Sequence, residues 1–577
     1  MKRITIVIFI TIITSALFFT CKKEFLDYLP KGTVSGELLN NTEGLEGLVI
    51  SAYASLGNDY WTHAFTSMWV YGGIRSDDAY KGGAGTGDVS PYDKLEQFAF
   101  ITTDIGSHIN SVWVAIYEGI SRANEALRRM ENFTESEYPQ KIQRQAEMRF
   151  IRGHFHFVLK RIFKYPPFAD DKTLKEDLKY ISNSEYTNDE LWNKIAEDFQ
   201  FAVNNLPESQ EQIGRPNKIA ATAYLAKVRL YQAYEQDEQN NVTIINQERL
   251  QEVVDLTNNV INSQYGLFDD IAKNFLWEYE NGIESIFAIQ YSVDDGTDNG
   301  RLNLADGLNY SIAPGYGCCC FNAPSQNLVN AHKTNQDGIP MFDTFNDSDL
   351  MDSIDFMDNN IDPRLDHTVG IPGHPFKYDP DFICSKEWKR AIEIYGPYSP
   401  MREIQPPDCP CLKKVTPWFF GSAKNIDLLR YDDVLLMKAE ALIELGRENE
   451  ALPIINQIRE RAKNSTERLK YANGDYISNY LIETYKEGVN CNWTLDFARE
   501  ALRWERRLEF GMEGSRFFDL VRWGIAAETL NDYFEIEKIK REYLNLANFT
   551  KGRDEYLPIP EQQIDFSEGL YVQNNGW

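Results

Sequence analysis

Apolar residues recur at spacings of three and four from Leu429 to Leu445. Val434, Leu435, Leu436, Ala439, Leu442 and Ile443 form one stripe, and Arg430, Asp432, Lys438 and Glu444 lie on its back. The pattern predicts a helix, and Gly446, directly after the last periodic residue, predicts its end. A second helix follows. Glu448 and Glu450 put acids at its start, Pro453 is expected in its first turn, and Ile454, Ile455, Ile458 and Ala462 face back toward the first. Small Ala439, Ala441 and Ala451 permit close approach of the two helices.

This hairpin resembles the middle of a tetratricopeptide unit. The same periodicity predicts three more pairs: Trp113–Met130 with Lys141–Phe163, Asn188–Leu206 with Ile219–Tyr234, and Ala498–Phe510 with Phe517–Asn531. Single helices are expected at Asn41–Tyr53 and Gln247–Ser263. Trp61–Asp104 reads as loop, broken by Gly72 and Gly73, by the glycines from Gly82 to Gly87, and by Ser90 and Pro91. Ser285–Tyr291 reads as a strand, after which about 130 residues rich in Gly, Pro, Asp and Asn lack periodicity. The expected class is therefore mainly α. About four tetratricopeptide-like helix pairs make a scaffold over about 35–282 and 425–535, with an irregular, loop-rich region bearing a few short strands at about 283–424 and an extended tail at about 536–577. A chain of 577 residues averages three to four domains, but no low-complexity linker divides this one, so 21–577 reads as a single unit.

The amino-terminus states a compartment. Lys2 and Arg3 precede the uncharged stretch Ile4–Thr20, and small Ser15 and Ala16 stand upstream of Cys21, so residues 1–20 read as a secretory signal with lipidation at Cys21. An uncleaved anchor is the alternative. The formal charge is −28, from 87 acids against 59 Lys and Arg, with no basic stripe, which excludes a nucleic-acid binder. Seven further cysteines, Cys318, Cys319, Cys320, Cys384, Cys409, Cys411 and Cys491, face a non-cytosolic environment. One or two disulfides are expected to link the Cys318–Cys320 run to Cys384, Cys409 or Cys411.

Catalytic signals are thin. His154 and His156, two apart on a helix, cannot chelate together, and the chain has no H-E-x-x-H, G-x-S-x-G or P-loop pattern. The glycines from Gly82 to Gly87 read as a mobile loop. No metal or cofactor is expected. Asp294–Asn299 and Asp343–Asp362 read as solvated acidic turns, with structural calcium as the alternative.

Several stretches together carry a family resemblance: Phe25–Asp27 with Pro30, Ala146–Arg152, Gly214 and Arg215 before Ala220–Ala226, Asp362–Asp366, the Leu429–Ala462 hairpin, Glu505–Phe510, Gly514–Trp523, Tyr556–Pro560 and Gln573–Trp577. In these the chain resembles the SusD/RagB family of outer-membrane nutrient-binding lipoproteins. The resemblance implies a lipid-anchored helical scaffold, without enzymatic activity, that caps a SusC-like TonB-dependent transporter.

Physical chemistry points the same way. Flat Trp and Tyr rings stack on the C–H faces of sugars while neighbouring polar groups meet the hydroxyls. The aromatics of the two irregular stretches, Trp61, Trp69, Tyr71, Tyr80, Tyr92, Tyr310, Tyr316 and Trp388, with Arg75, Asp77 and Asp78, are therefore the expected oligosaccharide-binding face. The competing readings are a peptide- or other nutrient-binding lipoprotein of the same type, a secreted hydrolase on a helical scaffold, and a protein-interaction scaffold.

Overall fold

The computed structural model describes residues 40–296, 300–417 and 419–577. Cys21, the expected signal segment and the Phe25–Pro30 stretch lie outside the described residues. Among those described, no helix is long and apolar enough to cross a membrane.

The periodic segments are helices. Thr42–Leu56 (α1), Thr102–Met130 (α2), Lys141–Phe163 (α3), Asn188–Asn205 (α4), Lys218–Ala233 (α5) and Gln247–Ile261 (α6) follow one another, each packed on the one before it in a row. In α2, Ile105, Ile109, Val112, Ile116, Ile120, Ala123 and Leu127 are buried, the stripe that the spacing of three and four requires. Local caps fix where helices begin: the Thr187 hydroxyl accepts from the Glu190 N–H while the Glu190 carboxylate accepts from the Thr187 N–H.

After α6 the chain leaves the row through strand Ser285–Ile289 (β2) and returns through Ile426–Arg430 (β6). These two pair antiparallel, Ile289 opposite Ile426 and Ser285 opposite Arg430. Tyr431–Glu444 (α7) then packs directly on α6, so the row resumes as though the excursion were absent. Glu448–Asn464 (α8), Leu495–Glu509 (α9), Arg516–Arg522 (α10) and Ala526–Lys540 (α11) complete it. The excursion carries only short strands, among them Phe321–Pro324 (β3), Leu412–Lys414 (β4) and Phe420–Ser422 (β5). β3 pairs with Ala79–Gly82 (β1) from the first loop. The fold is thus mainly α, with tetratricopeptide-like packing and small antiparallel sheets.

Several expectations need correction. Leu429 and Arg430 end a strand and do not start the helix, because they complete the pairing with β2. Pro453 lies inside α8, past its first turn. The Trp61–Asp104 stretch contains β1 and a helix at Ser90–Gln97, and α2 begins at Thr102, well before Trp113. The last pair is three helices, since Gly524 turns the chain at φ +73 between α10 and α11. The tail is not simply extended. α11 runs to Lys540, and the later residues are strapped to the row: the Leu557 N–H donates to Ile162 O (2.9 Å), the Asn574 amide to Phe163 O (2.8 Å), and Trp577 stacks on Phe100 at 4.9 Å. The disulfides are local, Cys318 with Cys319 and Cys409 with Cys411, and Cys384 is buried and free, so no bridge joins the run to the other cysteines.

The polar back of the first hairpin helix is not solvated either. Arg430 and Asp432 belong to a buried ionic junction that ties the row to the excursion. Arg364 meets Asp362 (2.7 Å), Glu505 (2.8 Å) and Glu509 (3.4 Å). Arg459 pairs with Glu505, Arg461 with Glu284 and Glu509, and Arg402 and Arg430 with Glu513. Burial opposes the charge on Asp362, yet Arg364 holds its carboxyl down at about 2. The motifs Asp362–Asp366 and Glu505–Phe510 are therefore two halves of one junction.

Candidate functional site

The two irregular stretches expected to form a face are brought together. β1 and β3 place Tyr80 opposite Ala323, the Trp69 indole N–H donates to Ala305 O (3.0 Å), and the Tyr92 hydroxyl donates to the Trp61 carbonyl. Close backbone approach permits this: a Cβ on Gly82, at φ +80, would stand 2.3 Å from the Cys320 carbonyl oxygen.

Most of the expected side chains, however, are buried at this junction and present no ring to solvent. Trp69, Tyr71, Tyr80 and Tyr92 are no more than 1 % exposed, Tyr310 2 % and Trp388 8 %. Trp69 packs edge-on against Tyr92 and Phe321. Tyr80 donates to Glu537 (2.7 Å), accepts from the Gln326 N–H and lies under Arg541, 4.2 Å from its ring centre. Arg75 donates to Asp554 O (2.7 Å) and lies over Phe517. Asp77 is bidentate to Arg516 (2.9 and 3.0 Å) and also meets Arg507, while Asp78 takes Arg507 Nε at 2.9 Å. Burial alone would raise the Asp77 carboxyl, but the Arg507 and Arg516 guanidiniums hold it well below the usual carboxylate range. Asp77 and Asp78 are thus held in buried ion pairs, and Arg75 by a backbone carbonyl and a ring.

Two of the expected residues keep exposed surface, Trp61 and Tyr316, and both sit in aromatic clusters. Trp61 lies 5.7 Å from Tyr60, which is 37 % exposed and 5.9 Å from Phe419. Tyr316 lies 5.4 Å from Tyr310 and 6.4 Å from half-buried Phe382, and Tyr310 lies 6.2 Å from half-buried Phe420. Phe419 and Phe420 are chain neighbours at the start of β5, so their rings serve one cluster each and join the two. Gly307 accommodates this, since a Cβ there would stand 2.2 Å from the Phe419 ring.

Behind the rings the support is rigid. The Tyr316 hydroxyl donates to Gln405 O, Phe382 stacks on Trp388 at 4.6 Å, and Asp59 accepts from the Tyr291 hydroxyl (3.3 Å). Asp306 accepts from the Asn303 and Asn309 amides (2.7 and 3.1 Å). Burial pushes the Asp59 carboxyl up to about 6 and the Asp306 carboxyl up to about 7. Lys414 stands 6.0 Å from the Phe420 ring. The arrangement offers flat faces with polar neighbours, suited to a ligand with both C–H faces and hydroxyls.

Sequence reasoning missed Tyr60, Phe382, Phe419 and Phe420. Its available signal was the aromatic run Trp418–Phe420 between the lysines at 413–414 and Gly421, although Trp418 itself lies outside the described residues. Elsewhere His154 and His156 are buried, bonded to the Tyr224 hydroxyl (2.9 Å) and to Arg152 O (3.1 Å), and burial pushes both imidazoles down to about 3. The glycine loop is a closed turn, because Lys81 donates to Gly85 O and Asp88 O (2.7 and 2.6 Å). Among the described residues no three His, Cys, Asp or Glu side chains converge as a metal site. Asp352 caps the helix Ser353–Asp358, and Asp349 accepts from Asn330 and Lys540.

A sequence model of the SusD family matches residues 283–577, just over half of the chain. The chain belongs to the SusD/RagB family. A second model, described as starch-binding associating with outer membrane, matches residues 72–230. The chain is similar to a SusD-like protein of Bacteroides ovatus, 25% identical over 518 residues that cover 88% of this chain and 81% of the relative. In fold it is similar to a SusD homolog from Bacteroides thetaiotaomicron (TM-score 0.70, 21% identity, covering 95% of this chain and 100% of that one). It is also similar to surface glycan-binding protein A of the same species, solved in complex with laminarihexaose (TM-score 0.61, 20% identity, 93% and 100%).

Proposed function

We propose that the protein binds oligosaccharides without cleaving them, held at the outer membrane through lipid on Cys21, and passes them to a SusC-like TonB-dependent transporter. One observation carries this reading: two half-exposed aromatic clusters, Tyr60 with Trp61 and Tyr316 with Phe382 and Phe420, braced by the buried rings of Phe419 and Tyr310. A surface glycan-binding protein of the same fold binds laminarihexaose, and residues 72–230 match a family described as starch-binding associating with outer membrane; both support it. A binding role without catalysis fits the nearest acids, since Asp59 and Asp306 are buried and held by Tyr291, Asn303 and Asn309. A stacked ring contributes on the order of 1 kcal/mol beyond area burial, so three rings give micromolar to millimolar affinity, suited to a protein that must release its cargo.

The test is calorimetry of the chain and of a Tyr60→Ala/Trp61→Ala/Tyr316→Ala variant against laminarin, starch and xylan, with reducing-end release measured in parallel. Binding by the parent, loss in the variant and no release of reducing ends is the expected result. Unchanged affinity in the variant, or cleavage by the parent, overturns the reading. For the anchor, Cys21→Ala should move the protein out of the membrane fraction, and its retention there counts against lipidation.

A further inference from the structure

The loop between α8 and α9 holds a second aromatic hollow, sharing no residue with the face above. Its core is a tight turn. The Tyr471 N–H donates to Asp475 O (2.9 Å), the Gly474 N–H returns to Tyr471 O (2.9 Å), and Lys470 bridges to Tyr476. The turn thus places Tyr471 and Tyr476 at its two ends, with Asn473 and Asp475 at its tip.

The wall beyond is pinned in place. The Asn479 and Leu481 N–H groups donate to Phe356 O (3.0 Å) and Ile361 O (3.1 Å). The Tyr480 hydroxyl donates to Asp366 (2.8 Å), a carboxylate that also accepts from Ser478 and pairs with His374. With its hydroxyl fixed, the Tyr480 ring stands edge-to-face with Tyr476 at 5.9 Å. These residues line an open depression of about 780 Å³.

Two features mark this as more than a folded loop. Tyr476 is 47 % exposed on one wall and Met357 51 % exposed on the other, so apolar surface faces the same opening from two separate segments. Around them stand an amide, two carboxylates and an ammonium: Asn473, Asp475, Glu483 and Lys463. Flat rings with hydroxyl-matching groups at the rim are the chemistry of sugar recognition. The charges choose between sugars. Lys463 is engaged by Glu483 (2.6 Å), Asp475 is exposed, and the chain carries −28, so an anionic glycan would meet repulsion.

We propose that this hollow is a second binding site, for a neutral oligosaccharide. It takes its ligand class from its own lining, and it stands or falls separately from the Tyr60–Trp61 face.

The experiment is calorimetry of the full chain with neutral hexaoses (laminari-, malto-, cello-, xylo- and mannohexaose) and with hexagalacturonate. At least one neutral hexaose is expected to bind this site, and Tyr471→Ala/Tyr476→Ala to lower its affinity or stoichiometry by about tenfold or by one site. A milder rim variant, Asn473→Ala/Asp475→Ala, touches only the turn tip and should weaken the same event severalfold with melting unchanged. The Tyr60→Ala/Trp61→Ala/Tyr316→Ala variant should leave this event intact, which separates failure of the hollow from failure of the face. The proposal is overturned if neither hollow variant changes binding of any neutral hexaose, or if hexagalacturonate binds there as tightly. It is equally overturned if a neutral hexapeptide is taken up in place of the sugars.

Discussion

The ionic junction and the aromatic face use similar residues to opposite ends. At the junction, Arg364, Arg459 and Arg461 meet Glu505 and Glu509 away from water, each charge held by a partner. At the face, Tyr60, Trp61 and Tyr316 keep ring surface in solvent while buried neighbours hold them still. The first is a lock whose removal is felt by the whole molecule; the second adds nothing the fold depends on. That difference can be broken or sharpened by measurement.

The largest effect belongs to the junction. Glu505→Ala strands Arg459 and takes one of three carboxylates from Arg364, and should cost about 3–5 kcal/mol, read as a fall of several degrees in melting temperature. An unchanged transition would mean that the junction is not the lock described. Next comes Tyr80→Phe, which removes the hydroxyl between Glu537 and the Gln326 N–H and should cost about 1.5–3 kcal/mol by chemical denaturation. Because Tyr80 is buried, glycan affinity should stay as it was; a loss of binding without loss of stability would return Tyr80 to the site.

Tyr60→Ala, at the most exposed ring of the face, should shift stability by less than about 1 kcal/mol while weakening binding, the inverse of the junction result. A separate effect is in pH. Burial raises Asp306 to about 7 from an ordinary value near 3.8, so the folded state holds a proton the unfolded chain has lost. Its contribution is complete below the ordinary value and declines as pH rises to about 7, by at most about 1.4 kcal/mol per pH unit. Asp306→Asn should flatten that part of the stability profile between pH 5 and 7, and an unaltered slope would assign it to other acids.

Legibility in the sequence followed periodicity. The helix row was readable because a stripe at spacings of three and four has one physical cause, a buried face. In the irregular stretches no period exists, and burial there depends on partners remote in the chain. Tyr80 finds Glu537, Asp77 finds Arg516 and Arg75 finds Asp554, none of which local pattern can indicate. Aromatics in a loop therefore looked exposed when most were core. The same reasoning failed at Arg430 and Asp432, which look like a solvated helix back until Arg461 and Glu513 are brought against them. Glu440, set between Ala439 and Ala441, is a buried hub for Tyr234, Arg522 and Trp523, a role that sequence disguises as an ordinary surface acid. Trp61 and Tyr316 were found as aromatics of the two irregular loops; Phe419 and Phe420 were missed because they lie past Trp388, where the second stretch was taken to end.

The antiparallel pairing of β2 with β6 gives the excursion a single doorway. Its entrance and exit are hydrogen-bonded neighbours, so the helices on either side of it, α6 and α7, touch directly and register no change in the length of what lies between. Evolution can lengthen, shorten or rewrite the loops beyond that doorway while leaving the scaffold's geometry alone, provided the Asp362–Arg364 anchor is kept. The same property makes the region a cassette: loops exchanged beyond the doorway, with Asp362, Arg364, Arg402 and β3 retained, meet a ready-made frame, and ligand preference becomes an interchangeable part of an otherwise constant chain.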